Sequence, residues 1–588
     1  MMEELSIDFT KQTLESCFKQ NNYIIPDYQR EYVWEENNVN PLMEDLVDSF
    51  SHDSKKQYFV GTIVVYRGSG KYEVIDGQQR LSTFFIMLCA LRKLLQGKGE
   101  KTELLDSLIY STGVDDDGND VNSYHLELQY EDASGYLEKI YNDIATLETA
   151  KTESEKKLYS AYTTILSSIS KEYDTTETLK RFMAFVLKRI LFVQIETKDM
   201  ADALKIFETI NQRGVGLNPM DLLKNLIFMQ VPREKFKELN VKWKTITDSL
   251  EKIDEQPLRF LRYYIMARYD TSGCKDGIIR EDQIYDWLRD NENQCKYGTA
   301  PFAFVDNMIE AVKDYAAYLK PADDFNGNAH LKNISLFAGG KYKLHIQLLL
   351  AANQMDNEAK SELKRVLESV VYYATITRTK TNTLERQFAL WCPKLRTIKD
   401  IDGLSTFVHN DIMPVLNNWK LAYKAIFMAL GMDNVQQYRI RFILGRISRY
   451  IDVIRQSAGD VAVGISEYIG KGVEIEHIMP QTCSDYSQYG MDDVDFEVYR
   501  NRIGNLTLLE KSINASIQND GYKNKCNDYA KSKLYLTSSL NKLENVGQNT
   551  GINKLNSKMK CWYDWNKVSI DQRQEMLYEL SESIWRLE

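Results

Sequence analysis

Two short stretches of the sequence carry side chains whose types and spacing could do chemistry. The first, Asp76-Gly77-Gln78-Gln79-Arg80, sets an acid, a glycine, two amides and an arginine between a β-like run and a long apolar one. Glycine takes backbone angles that other residues resist, and a helix N-terminus presents free amide N–H groups, so this spacing can build an anion site. Arg80, one turn in, can grip a phosphate through two N–H groups, and Gln78 and Gln79 can bond sugar or base edges. Asp76 can hold a metal ion or orient water. On the residues alone, a capped turn with Asp76 as N-cap and Arg80 on the surface remains the alternative. The second stretch, Glu474-Ile475-Glu476-His477-Ile478-Met479-Pro480, sets an acid beside a histidine. A histidine titrates near neutrality and is the usual base for activating water. Adjacent residues of an extended chain point to opposite sides, so only a bend lets Glu476 and His477 serve one site. Asn505, in Ile503-Gly504-Asn505-Leu506-Thr507-Leu508-Leu509, and Asn514, in Lys511-Ser512-Ile513-Asn514, follow downstream. His52, His125, His330, His345 and His409 lack such neighbours and read as structural.

The elements that must position these groups are legible in outline. Tyr58 to Tyr66 is β-branched and aromatic, ends at Gly68-Ser69-Gly70, and is followed by Lys71 to Ile75, which predicts a hairpin. Ser82 to Leu95 reads as a helix that is apolar nearly all round and hence buried. Asn38 to Phe50 reads as an earlier amphipathic helix, and Ile190 to Ile195 as a strand before a helix from Met200 to Asn211. Pro219 opens the next helix, where proline is tolerated. Helical periodicity dominates residues 231–430, for example in Leu258 to Tyr269, Ala303 to Leu319 and Lys343 to Ala352. Shorter elements return after 431, with strands at Val473 to Ile475 and Ile503 to Leu509, then a helix from Lys511.

The length of 588 residues exceeds what one core usually supports, and 43% hydrophobic with 27% charged residues is an ordinary globular composition. No run of about 18 apolar residues occurs, so no membrane span is expected. The N-terminus lacks a secretory pattern, and the eight scattered cysteines form no CxxC pair, which argues against a zinc ribbon or a disulfide framework and for a reducing cytosol. A P-loop is absent: Gly68-Ser69-Gly70-Lys71-Tyr72 has neither the upstream glycine nor a Ser/Thr after the lysine. The net charge is −10, yet Arg500 to Lys567 holds twelve Lys or Arg against five Asp or Glu, a local +7. Such a segment can follow a phosphate backbone, and Lys523, Lys525, Lys531 and Lys533 are its candidate DNA contacts; the alternative is a solvated helical face.

Two more clusters repeat the amide and guanidinium theme: Ile25-Pro26-Asp27-Tyr28-Gln29-Arg30-Glu31-Tyr32-Val33-Trp34, and Asn211-Gln212-Arg213-Gly214 followed by Asp221-Leu222-Leu223-Lys224-Asn225. With "VIDGQQRLST" between them, they resemble the N-terminal, GmrS-like family of GmrSD-type restriction enzymes over about residues 10–230. That family is related to the ParB/sulfiredoxin fold, whose Gly-x-x-Arg turn binds nucleotide phosphates. The resemblance therefore implies a nucleoside triphosphate site at Asp76, Gly77, Gln78, Gln79 and Arg80, with Gln29, Arg30, Asn211 and Arg213. The acid-His-x-x-Pro, Gly-Asn-Leu and helical Asn order resembles the GmrD-like C-terminal family of HNH, or His-Me finger, nucleases. In those a ββα unit holds one divalent metal, Mg²⁺ or Mn²⁺, against a scissile phosphate. Carried over, His477 is the base, Asn505 positions its loop as the second catalytic residue, and Glu476 and Asn514 are the metal ligands. Glu476 stands where related nucleases often have Asp.

The fold class expected is α+β, multidomain and mostly helical. It comprises a GmrS-like ParB/sulfiredoxin α/β NTPase domain over 1–230, a helical connecting domain over 231–430, and a GmrD-like ββα-metal nuclease domain over 431–588. The function implied is an NTP-dependent, cytoplasmic type IV endonuclease. It would cut or nick double-stranded phage DNA modified in base or backbone, with no membrane partner and a homo-oligomer left open. The rival readings are a nucleotide-gated DNA-binding scaffold with a degenerate nuclease domain, and a general nuclease or RNase toxin.

Overall fold

The β-branched and aromatic run from Tyr58 forms a strand, Tyr58–Arg67, in the computed structural model. Residues 7–587 are described, apart from 69, 115–119, 131–132, 199–201, 204–205, 207–218, 320–328, 456–463, 518 and 545–550. The helix expected from Met200 to Asn211 falls mostly outside the described residues, as do Asn211 and Arg213. The strands are β1 (Ile7–Thr13), β2 (Tyr23–Ile25), β3 (Tyr58–Arg67), β4 (Tyr72–Asp76), β5 (Tyr110–Val114), β6 (Asp120–Tyr124), β7 (Leu126–Leu128), β8 (Ile190–Thr197), β9 (Val473–His477) and β10 (Leu506–Glu510). Two compact units emerge, Met1–Thr245 with Tyr285–Asp306, and Ile246–Ile284 with Asn307–Glu588.

The first unit is built on a six-stranded mixed sheet in the order β1-β8-β3-β4-β2-β7. β3 and β4 form the antiparallel hairpin expected from the sequence, while β3–β8, β4–β2 and β2–β7 are parallel. Parallel neighbours need long crossovers, and helices supply them here. One crossover element is the helix Gln78–Gly97, in which Leu81, Phe84, Phe85, Leu88 and Leu91 are fully buried. Each such side chain contributes about 1.5–3 kcal/mol of burial. Phe84 packs edge-on to Phe192 of β8 and Phe85 edge-on to Phe18, which fastens the helix over the sheet. The helix begins at Gln78, four residues before the expected Ser82, because Gly77 caps it in a left-handed conformation. The helix Glu153–Glu172 opens on a capping box in which Thr152 and Glu155 exchange side-chain bonds.

The second unit is helical around a buried carboxylate. Glu368 accepts bonds from Arg446, Asn333 and Trp585 and meets His330 Nδ1 at 2.6 Å. Burial raises its pKa, but the Arg446 charge and the His330 and Asn333 bonds outweigh that and bring it down to about 2. Tyr372 stacks on Trp585 at 3.6 Å beside it. In the same unit β9 and β10 pair antiparallel, with Leu506 opposite His477, and the helix Lys511–Ile517 follows directly. β9 runs through His477, two residues beyond the expected strand, because β10 supplies ladder partners for Glu476 and His477. Residues Ile503–Asn505 form a 3₁₀ turn in place of the expected strand start. Among the described residues no helix is long and apolar enough to cross a membrane.

Candidate functional site

Gly77 joins β4 to its helix at φ +87°, and a Cβ there would lie 2.6 Å from Ile63 Cγ2. Only glycine fits this turn. The turn faces Tyr28, Gln29, Arg30, Trp34, Lys224 and Asn225 across a cavity of about 120 Å³. That is smaller than the roughly 300–1,000 Å³ of most small-molecule pockets. Arg80 lies 3.8 Å from Asp76 and donates to the Val60 carbonyl at 3.2 Å. Burial pushes the Asp76 carboxyl up, against the pull of Arg80, the Gly77 N–H and Arg30. Among the described residues, two amide atoms in this lining are buried without a partner, Gln78 Oε1 and Gln29 Nε2. Buried polar atoms are rarely left unbonded, so an acceptor and a donor here suit a ligand carrying both. Gln79 lines the same cavity, and its amide accepts from the Val33 N–H and donates to the Glu31 carbonyl, which fastens the 31–33 loop beside it.

In the second unit, β9 carries Glu476 and His477 to opposite faces. Glu476 turns inward, where its Oε1 accepts from Lys525 Nζ at 2.6 Å and Tyr529 OH at 2.9 Å. Lys525 is buried and also donates to the His477 carbonyl at 2.9 Å. His477 Nε2 meets Asn501 Oδ1 at 3.1 Å, and Gln481 Nε2 meets His477 Nδ1 at 2.9 Å. Asn501 donates its other amide atom to Asp433 at 2.7 Å, which assigns Oδ1 as the atom facing the histidine. Nε2 then carries the proton and Nδ1 the lone pair. Burial lowers the His477 pKa, against the Asn501 bond and the Glu476 charge, with Lys525 and Arg500 lowering it further. The neutral, basic form is therefore the favoured one.

Asn505 is fully buried and ties the loop behind His477. Its Oδ1 accepts from Met479 N and Trp565 Nε1, and its Nδ2 donates to the Met479 and Arg500 carbonyls. With no edge at the surface, its part is to hold that loop in place. Arg573, also fully buried, braces the same turn through the Gly504 and Leu506 carbonyls, and burial lowers its pKa to about 9.

The two expected metal ligands have different partners. Asn514 donates to Glu474 Oε2 at 2.9 Å, while Glu476 is neutralised by Lys525. A divalent cation brought onto Glu476 would stand against a buried ammonium, so Glu476 does not fit that role. The half-buried oxygen donors of Glu474 and Asn514 fit a hard cation by type, and the cation facing Glu474 is the exposed Lys511 at 3.8 Å, not a buried one. Among the described residues no three His, Cys, Asp or Glu side chains form a metal cluster. The lysines divide as well. Lys523, Lys531 and Lys533 are exposed, the first two on Asp564 and Asp528. Such exposed pairs are weak and can exchange for phosphate. Lys525 cannot, and its DNA-binding assignment is withdrawn. The sequence reading missed its role, although Tyr522, Lys525 and Tyr529 share one helix face, two aromatics flanking the amine.

Two family models match the chain. The N-terminal domain of GmrSD restriction endonucleases matches residues 14–228, and the C-terminal domain of GmrSD restriction endonucleases matches residues 421–580. No curated protein matches it.

Proposed function

The chain has the architecture of a GmrSD-type restriction endonuclease, and on that premise we propose a DNA endonuclease that is gated by a nucleoside triphosphate and acts on modified phage DNA. The observation that carries the reading is His477, held neutral with its Nδ1 lone pair facing Gln481. In this reading Gln481 swings off Nδ1 and a water takes its place. His477 removes a proton as the water oxygen bonds to phosphorus, and the bond from phosphorus to the leaving deoxyribose oxygen breaks. The proton stays on the imidazole until it passes to solvent or to the leaving oxygen. A bound Mg²⁺ or Mn²⁺ would supply charge stabilisation on the phosphate; Glu474 and Asn514 have the oxygen donors that would hold it, on the face of β9 that alternation sets opposite His477.

The triphosphate would set a phosphate against Gly77, Gln78 and Arg80, with Gln29 and Arg30 across the cavity. Residues 1–230 would then form the NTPase domain of ParB/sulfiredoxin type, 231–430 the connecting domain, and 431–588 the HNH-type nuclease domain. The test compares modified and plain phage DNA, and RNA, as substrates, with and without each triphosphate and Mg²⁺. His477→Ala should lower cleavage about 10²–10⁴-fold while triphosphate hydrolysis persists. Cleavage by that variant within tenfold of the wild type would overturn the assignment, and equal cutting of plain DNA or RNA would overturn the substrate.

A further inference from the structure

In the stretch of sequence between the two matched regions, the helical part of the second unit carries an open cavity of about 400 Å³ that neither site uses. Its charged lining is Arg262, Lys275, Arg280 and Arg386 with Asp276 and Glu385, four cations to two carboxylates. Arg262 is paired with Glu385 and donates to the Ile279 carbonyl at 2.7 Å, and Arg386 lies 3.1 Å from Asp276. Each carboxylate thus has its cation. Among the described residues no carboxylate pairs with Lys275 or Arg280, so the cavity keeps two positive charges uncompensated. Glu281 and Asp282 follow Arg280 in the chain but do not line the cavity.

The loop that presents these residues is built, not loose. Asp276 holds φ +60°, a left-handed conformation, and Thr271 Oγ1 anchors the loop by donating to the Gly277 carbonyl at 2.8 Å. Ile279 is fully buried. Gln283 Oε1 accepts the Arg280 N–H at 3.1 Å, which directs the two amide hydrogens of Gln283 elsewhere, with Asn382 as a further amide in the lining. Two unpaired cations and amide donors in one lining repel a metal ion and suit an anion with several acceptor oxygens. The volume accommodates more than a bare ion.

We propose that this cavity is a second phosphate-binding site, in which Lys275 and Arg280 hold a phosphate group of the DNA backbone or of a free nucleotide. Lys275→Gln/Arg280→Gln tests it in the full chain. Both side chains are exposed, so the fold should persist, and an unchanged thermal unfolding profile checks that. If the phosphate is DNA's, titration with a labelled duplex at several salt concentrations should show the slope of log K against log salt flattened by about 0.9 for each phosphate the variant no longer neutralises. If it belongs to a free nucleotide, the duplex slope should stay and ATP or GTP binding should weaken about tenfold. Arg80→Ala, measured alongside, separates this cavity from the one at Gly77. An unchanged duplex slope together with unchanged ATP and GTP binding in the double variant would overturn the proposal.

Discussion

Lys525→Met is the perturbation that most directly tests the packing behind His477. In the native chain a buried ammonium sits 2.6 Å from Glu476 Oε1 and 2.9 Å from the His477 carbonyl. Methionine nearly preserves the side-chain volume but removes the charge and both bonds. Breaking one partner of a buried ion pair costs about 3–5 kcal/mol, because the other charge is left without compensation. Tyr529 still donates to Glu476, which puts the expected cost near the lower end, about 3 kcal/mol. At about 1.4 kcal/mol per factor of ten, amide protection across Val473–His477 and Leu506–Glu510 should fall about 10²-fold. Hydrogen exchange read by mass spectrometry on peptides spanning those strands measures this locally, which suits a chain of two units where a single unfolding transition is not assured. Glu476→Gln/Lys525→Met should recover most of the loss, since the carboxylate that was stranded is then neutral. A loss under threefold in the single variant, or a double variant worse than the single, would refute the view that the pair holds this hairpin.

Gly77→Ala should destabilise the first unit by about 2–4 kcal/mol, combining a left-handed alanine with overpacking against Ile63, read as a lowered thermal midpoint. Gly97→Ala on the same helix, where a Cβ meets nothing within 4 Å, should leave it within error of the wild type. His345 is fully buried and burial alone lowers its pKa to about 3, so below the usual value of about 6.5 the unfolded chain binds the extra proton. Its contribution is complete above pH 6.5 and is lost as pH falls toward 3; His345→Phe should therefore narrow the difference in urea midpoint between pH 7 and pH 4.5, and an unchanged difference would contradict this.

What is legible in the sequence is what neighbours in the chain decide. The β3–β4 hairpin follows from two β-branched runs around a glycine-rich turn, and the buried helix after it from its unbroken apolar run. That helix starts earlier than its apolar run suggests. The polar residues Gln78, Gln79 and Arg80 look like a loop, whereas the left-handed Gly77 lets all three be helical. The differences in the second unit come from partners far apart in sequence. β9 continues through Glu476 and His477 only because β10, some thirty residues on, lies beside them. Once it does, alternation sends Glu476 inward and away from His477, and a local reading of the Glu-His pair as one site fails.

Lys525 illustrates the same point from the side of charge. Summing charge from Arg500 to Lys567 weighs Lys525 and Lys533 equally, as two members of a +7 segment. Their energetics are opposite. Lys533 is exposed, and its charge is available to an anionic surface, whereas Lys525 is held against Glu476 and adds nothing to that field at the surface. The pattern that separates them is positional: Lys525 falls three residues after Tyr522 and four before Tyr529, on the inward face of its helix. A lysine on such a face must find a carboxylate, because an unpaired buried ammonium is costly. The acid of the Glu-His pair is the one that meets it. The basic segment is accordingly two things at once, a clamp behind the histidine strand and a set of exposed lysines. Of the four lysines Lys523, Lys525, Lys531 and Lys533, DNA affinity should therefore follow the three exposed ones and not Lys525.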